Sequence, residues 1–165
     1  MKKEKLLVLL AYFSEILLSV LMTFAMFHFL SENVIGDIIG KGASEWANLL
    51  GVLFGASVAI WLTFVNLSST EFGKFLHYKK VYSIFNWGFI FTSITYFIGM
   101  ICFILTKGLT NSKPLTEITV FVLIYGFINL YTLIKNTSDL IKIYHEFSRT
   151  FDREIRKSSK LKNKG

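Results

Sequence analysis

One proline and one cysteine occur in 165 residues, and only 18% of the residues are charged. A lone cysteine can close no internal disulfide, which excludes a disulfide-stapled secreted domain. A soluble domain carries roughly 25% charged residues around a mixed core. With 53% hydrophobic residues and a mean hydropathy of +0.52, the chain is neither disordered nor an ordinary soluble enzyme. Catalytic signatures are absent too: there is no Gly-rich phosphate loop, GxSxG, HExxH or CxxC. His28, His77 and His145 stand too far apart for metal-ligand spacing. No enzyme activity, cofactor or metal is expected, and Cys102 reads as a small buried hydrophobe.

What is present is apolar sequence in four long blocks. A hydrocarbon core of about 30 Å takes roughly 20 residues as a helix. The blocks cover about 6–30, 46–67, 81–105 and 115–134, and none alternates as a barrel strand would. The fold class is therefore all-α, a polytopic membrane protein of four transmembrane helices within residues 1–134. Met1-Lys2-Lys3-Glu4-Lys5 resembles the charged start of a signal peptide, but no small-x-small site follows and the apolar run continues to Leu30. A retained span is expected.

Lys and Arg divide fifteen to three between the two sides that four spans define. Lys2, Lys3, Lys5, Lys74, Lys79, Lys80 and everything from Lys135 onward fall on one side, and Lys41, Lys107 and Lys113 on the other. The positive-inside rule places both termini in the cytoplasm.

Small residues mark the second span. Ala43, Ala47, Gly51, Gly55 and Ala59 recur every fourth position and contain a GxxxG. They are expected to form one ridge against a neighbouring helix of the same chain or a second subunit. Hydroxyl and amide side chains, among them Ser57, Asn86, Thr92, Ser93, Thr95 and Asn129, are expected to bond across helices. Glu15 lies about ten residues into the first span, where a charge costs at least about 2.5 kcal/mol. It should face the interior, with Ser19 on the same face as a donor. A proton- or cation-coupled site, a protonated carboxyl bonded to a neighbouring helix, and snorkelling are the readings open to it.

Helical periodicity outlasts the fourth span. Leu140, Tyr144, Phe147, Phe151 and Ile155 form an apolar stripe along a cytoplasmic helix over 135–157, opposite Lys142, Glu146, Arg149, Asp152 and Arg153. The stripe is expected to meet the inner leaflet, sister subunits or a cytosolic protein. Asn136-Thr137-Ser138-Asp139 is a point where the helix is expected to bend or restart. Residues 158–165 read as a disordered basic tail. Arg156, Lys157, Lys160, Lys162 and Lys164 are expected to lie on anionic lipid, at about 1 kcal/mol per charge. No specific nucleic-acid contact is expected, since no aromatic residue interleaves these charges.

From Gly51-Val52-Leu53-Phe54-Gly55, through Ser68-Ser69-Thr70-Glu71-Phe72, to Lys79-Lys80-Val81-Tyr82, a small-residue span leads through a Ser/Thr turn to a basic, aromatic stretch. In this and in its layout the chain resembles the small four-span membrane components of bacterial phage-defence systems, such as accessory subunits of CRISPR systems and the membrane subunit of the Kiwa system. The resemblance implies a non-enzymatic homo-oligomer that anchors a cytosolic partner or perturbs the membrane. A carboxylate in the first of four spans also resembles the small multidrug-resistance exporters, which implies a proton-coupled transporter using Glu15. The longer C-terminal extension and the lack of proline within the spans depart from that pattern. A toxin-immunity membrane protein is a third expectation. The charge asymmetry makes a direct prediction. A reporter active only in the cytoplasm should work when fused after Gly165 and be silent when inserted beside Lys41; the reverse pattern would overturn the assigned orientation.

Overall fold

A computed structural model describes the backbone of residues 2–108 and 112–162 and the side chains of residues 12–108 and 112–151. Six helices follow in order: α1 (Lys2–Phe29), α2 (Glu32–Lys41), α3 (Ala43–Leu67), α4 (Glu71–Tyr78), α5 (Tyr82–Gly108) and α6 (Lys113–Lys162). No strand occurs among the described residues. α1, α3, α5 and α6 are long and apolar enough to cross a membrane. This is an all-α polytopic architecture, because backbone polar groups in lipid must be satisfied within each segment.

α5 is the centre of the assembly. It lies antiparallel to α3, with Trp46 against Phe103 at one end and Phe64 against Tyr82, Phe85 and Phe89 at the other. It is also antiparallel to α6, from Thr106 beside Thr119 to Gly88 beside Asn136. α1 packs chiefly on α6 and presents Phe13, Leu17, Leu21 and Phe24 outward, where a bilayer would be.

The α3 face turned to α5 has a period of three and a half residues. Ala43, Leu50, Ser57 and Phe64 are buried, and Trp46, Leu53, Ile60 and Leu67 pack between them. This is the seam of left-handed helix packing. The every-fourth-residue row does not follow it, because each step of four rotates about 40° past a full turn. Ala43 is buried and Ala47 and Gly51 are half-buried, with Met100 Sδ 3.5 Å from where a Cβ on Gly51 would sit. Gly55 and Ala59 have rotated off the α5 face and are exposed. The expected single ridge is thus two half-ridges, only one of them used inside the chain.

Close approach is carried instead by Gly99 of α5. A Cβ there would come within 2.8 Å of Leu50 Cδ1 and 3.2 Å of Val122 Cγ1, so α3 and α6 both press on this glycine.

Two of the segments between the apolar blocks are short amphipathic helices. α2 buries Ile35 and Ile39. α4 buries Phe72 and Leu76 and is capped by Thr70, which accepts from the Gly73 amide. Gly73 is required there, since a Cβ would collide with Ser68 O at 2.1 Å. Lys80 closes α4 with a positive φ of 60°, and Val81 N bonds back to Leu76 O at 3.1 Å, a Schellman motif without its usual glycine.

The helix does not restart at Asn136-Thr137-Ser138-Asp139. α6 runs unbroken for 50 residues. Thr137 donates its hydroxyl to Leu133 O at 2.8 Å, so a potential helix breaker stays within the helical pattern. The backbone continues helical to Lys162, through the start of the segment expected to be disordered. Straight-chain Lys and Arg lose little freedom in a helix, and no Gly or Pro interrupts the stretch before Gly165.

The glycine contrast is testable by unfolding in mild detergent. Gly99→Val should lower stability by about 1–3 kcal/mol through overpacking. Gly55→Ala should not, because a Cβ there meets nothing within 4 Å.

Candidate functional site

The carboxylate of the first span is built into a seam between α1 and α6. Tyr12, Glu15 and Ser19 share one face of α1 at steps of three and four. Tyr125, Asn129, Thr132 and Asn136 share one face of α6 at steps of four, three and four. Antiparallel helices bring such rows into register. Thr132 Oγ1 donates to Glu15 Oε1 at 2.7 Å, and Tyr12 and Tyr125 lie within electrostatic reach of the same carboxylate. Gly88 of α5 leaves the room: a Cβ on it would stand 2.8 Å from Asn136 Nδ2 and 3.1 Å from the Tyr12 hydroxyl.

Glu15 therefore faces the interior, as expected, but Ser19 does not donate to its carboxylate. Ser19, fully buried, donates to the Glu15 main-chain oxygen at 2.8 Å, and Thr23 repeats the pattern on Ser19 O. A hydroxyl one turn on reaches the i−4 carbonyl of its own helix more readily than a side chain beyond it. The donor comes from another helix, 117 residues away. Thr132, Tyr12 and Tyr125 were not marked by the sequence analysis. A polar row at heptad spacing within an apolar helix was the signal available for the α6 group.

The same preference limits the expected glue elsewhere. Thr63, Thr92 and Thr95 bond back to their own helices, as does the Asn129 amide through Nδ2 to Tyr125 O. Cross-helix bonds are fewer: Ser57 to Ser93 at 2.9 Å, Trp61 Nε1 to Asn86 Oδ1 at 3.0 Å, and Thr106 to Thr119 at 2.9 Å. They distribute along α5 and bind it to both neighbours. Cys102 is buried and unpaired by disulfide.

At the opposite end of α1 the chain forms a charged mouth. Lys113 pairs with Glu32, and Asp37 with Lys41, around a cavity of about 520 Å³ floored by Thr106. Among the described residues no group of three His, Cys, Asp or Glu side chains could hold a metal.

At the other end, α4 covers the start of the apolar stripe of α6. Phe72 meets Tyr144 edge-on at 5.2 Å and Phe147 at 5.5 Å, and Phe75 meets Phe147 at 5.4 Å. Lys79 pairs with Glu146 at 2.7 Å at the exposed edge of this aromatic contact. Leu140 and Phe147 join the core, whereas Tyr144 and Phe151 remain about half exposed. The stripe's first occupant is thus the chain's own α4, which was not among the covers expected for it. The side chains of Ile155, Arg156, Lys157, Lys160 and Lys162, and all of Lys164, lie outside the described residues.

Removing the Thr132 hydroxyl should leave the Glu15 carboxylate without its donor. Thr132→Val is expected to destabilise the folded chain by about 1–3 kcal/mol, whereas Ser19→Ala, which breaks only an intrahelical bond, should cost clearly less; equal losses in thermal unfolding would contradict this geometry. No protein-family model, no curated protein and no solved structure matches the chain.

Proposed function

We propose that the chain is a non-enzymatic anchor in the bacterial inner membrane, whose α6 extension holds a cytosolic protein partner. One observation carries this reading: α6 is a single helix of 50 residues, about 75 Å at 1.5 Å per residue, more than twice the hydrocarbon thickness. The excess is braced rather than loose, since α4 clamps it by the Phe72–Phe147 contact and the Lys79–Glu146 pair. Beyond the brace the stripe continues with Phe151 exposed. A rigid arm with an apolar edge and basic flanks suits helix-in-groove recognition by a partner. The exposed half-ridge of Gly55 and Ala59 offers a second copy a close-packing surface, consistent with self-association. In this reading the basic residues from Arg156 to Lys164 contact anionic lipid or the partner, and the biological setting is the phage defence that the layout resembles.

The test keeps the brace and removes the arm. A chain ending at Ser148 retains the Phe72–Phe147 contact, so it should still insert in the membrane and give native mass spectra of the same homo-oligomer. It should lose the soluble protein that the full chain carries stoichiometrically out of its host. A full chain with no companion, or one that survives the truncation, would overturn the anchor reading.

A further inference from the structure

α6 covers one flank of the α3–α5 seam, where Val122 presses on Gly99 and Leu50 lies against both Gly99 and Gly126. The other flank stays open, with Ile94, Phe97 and Ile104 about half exposed. Along it the two antiparallel helices keep one register. Ser44 accepts from Lys107 Nζ at 2.9 Å, Met100 stands against Gly51, Phe54 meets Phe97 at 5.4 Å, and Trp61 shares a cavity with Ile90.

Two cavities lie on this open flank. The outer one, about 320 Å³, has Ser44, Asn48 and Lys107 at its polar end and Met100 and Ile104 toward the middle of the helices. The inner one, about 350 Å³, is lined by Phe54, Val58, Trp61, Ile90, Ile94 and Phe97. Its polar neighbour, Ser93, is already bonded to Ser57 and to Phe89 O. Ile90, Ile94, Phe97 and Ile104 follow one another at steps of four, three and seven, so both cavities belong to a single groove.

The groove is graded from charged to apolar. Lys41 and Lys113 pair with Asp37 and Glu32. Among the described residues Lys107 makes no ion pair, and its bond to Ser44 engages one of three ammonium donors. Length follows the same gradient. Ile94 is thirteen residues from Lys107, about 20 Å along the axis, which is half the 40–45 Å of a bilayer with its headgroups. A transmembrane helix seated here would need small residues for close approach, and the inner cavity presents Phe54, Trp61 and Phe97 instead. A slim, flexible acyl chain fits between such rings.

We propose that this groove holds one anionic phospholipid, with its phosphate on Lys107 beside Ser44 and Asn48 and one acyl chain running past Ile104 into the inner cavity. The inference does not depend on the anchor reading. Gly55 and Ala59 line neither cavity, so the lipid leaves them open to a second copy.

The full chain in mild detergent, given equimolar phosphatidylglycerol and phosphatidylcholine, should retain one phosphatidylglycerol per chain in native mass spectra. Lys107→Ala should weaken that retention about fivefold, the factor one charge contributes beside anionic lipid. Lys41→Ala, at a lysine that already has its carboxylate, should not. Ile94→Trp should fill the inner cavity and release the lipid while leaving the helical circular dichroism unchanged. Equal retention of the two lipids, or retention unaltered in Lys107→Ala or in a folded Ile94→Trp, overturns the proposal. Oligomers that retain no lipid overturn it too, and assign the groove to a second copy. Should Ile94→Trp not fold, Lys107→Ala decides alone, because that lysine is exposed.

Discussion

The structure depends on the burial of α5 between α3 and α6. In lipid there is no hydrophobic drive between helices, so association comes from close packing and cross-helix hydrogen bonds. α5 supplies both. Phe85, Phe89, Tyr96 and Phe103 fill the seams, Gly99 lets two neighbours approach at once, and Ser93 and Thr106 bond to opposite sides. Each hydrogen bond is worth only about 0.6 kcal/mol on average in such settings, so packing dominates and the hydroxyls set register.

α1 has a different status. It is held mainly along one line against α6, and that line is polar. A peripheral helix fixed through Glu15 and Thr132, with aromatic side chains turned outward, is the element least constrained by apolar packing. The carboxylate that costs most to insert thus lies on the helix with the least buried surface.

The two amphipathic connectors shape the ends of the molecule. α2 closes one end by burying Ile35 and Ile39 over α5 and α6, and the Glu32–Lys113 pair ties it to the start of α6. α4 does the corresponding work at the other end, where it converts a protruding helix into a braced arm. Both were legible as polar connections only. Their amphipathicity spans eight to ten residues, too short to separate from loop sequence by periodicity, and they are helical because an apolar surface is waiting for them.

The sequence alone determined the class, the number of spans, the inward direction of Glu15 and the persistence of helix beyond Ile134. These follow from block hydropathy and periodicity, which are local and need no partner. Only the tertiary structure decided what each face meets. The row from Ala43 to Ala59 was visible, but the α5 seam repeats every three and a half residues, so the row winds out of it by Gly55. Ser19 was the nearest donor to Glu15 in sequence, yet Thr132 is the donor in space. The stripe at Tyr144 and Phe147 was visible, but its cover, Phe72, is decided by where α4 folds back. Pairings between distant segments depend on helix rotation and register, and those are set by all the neighbours together.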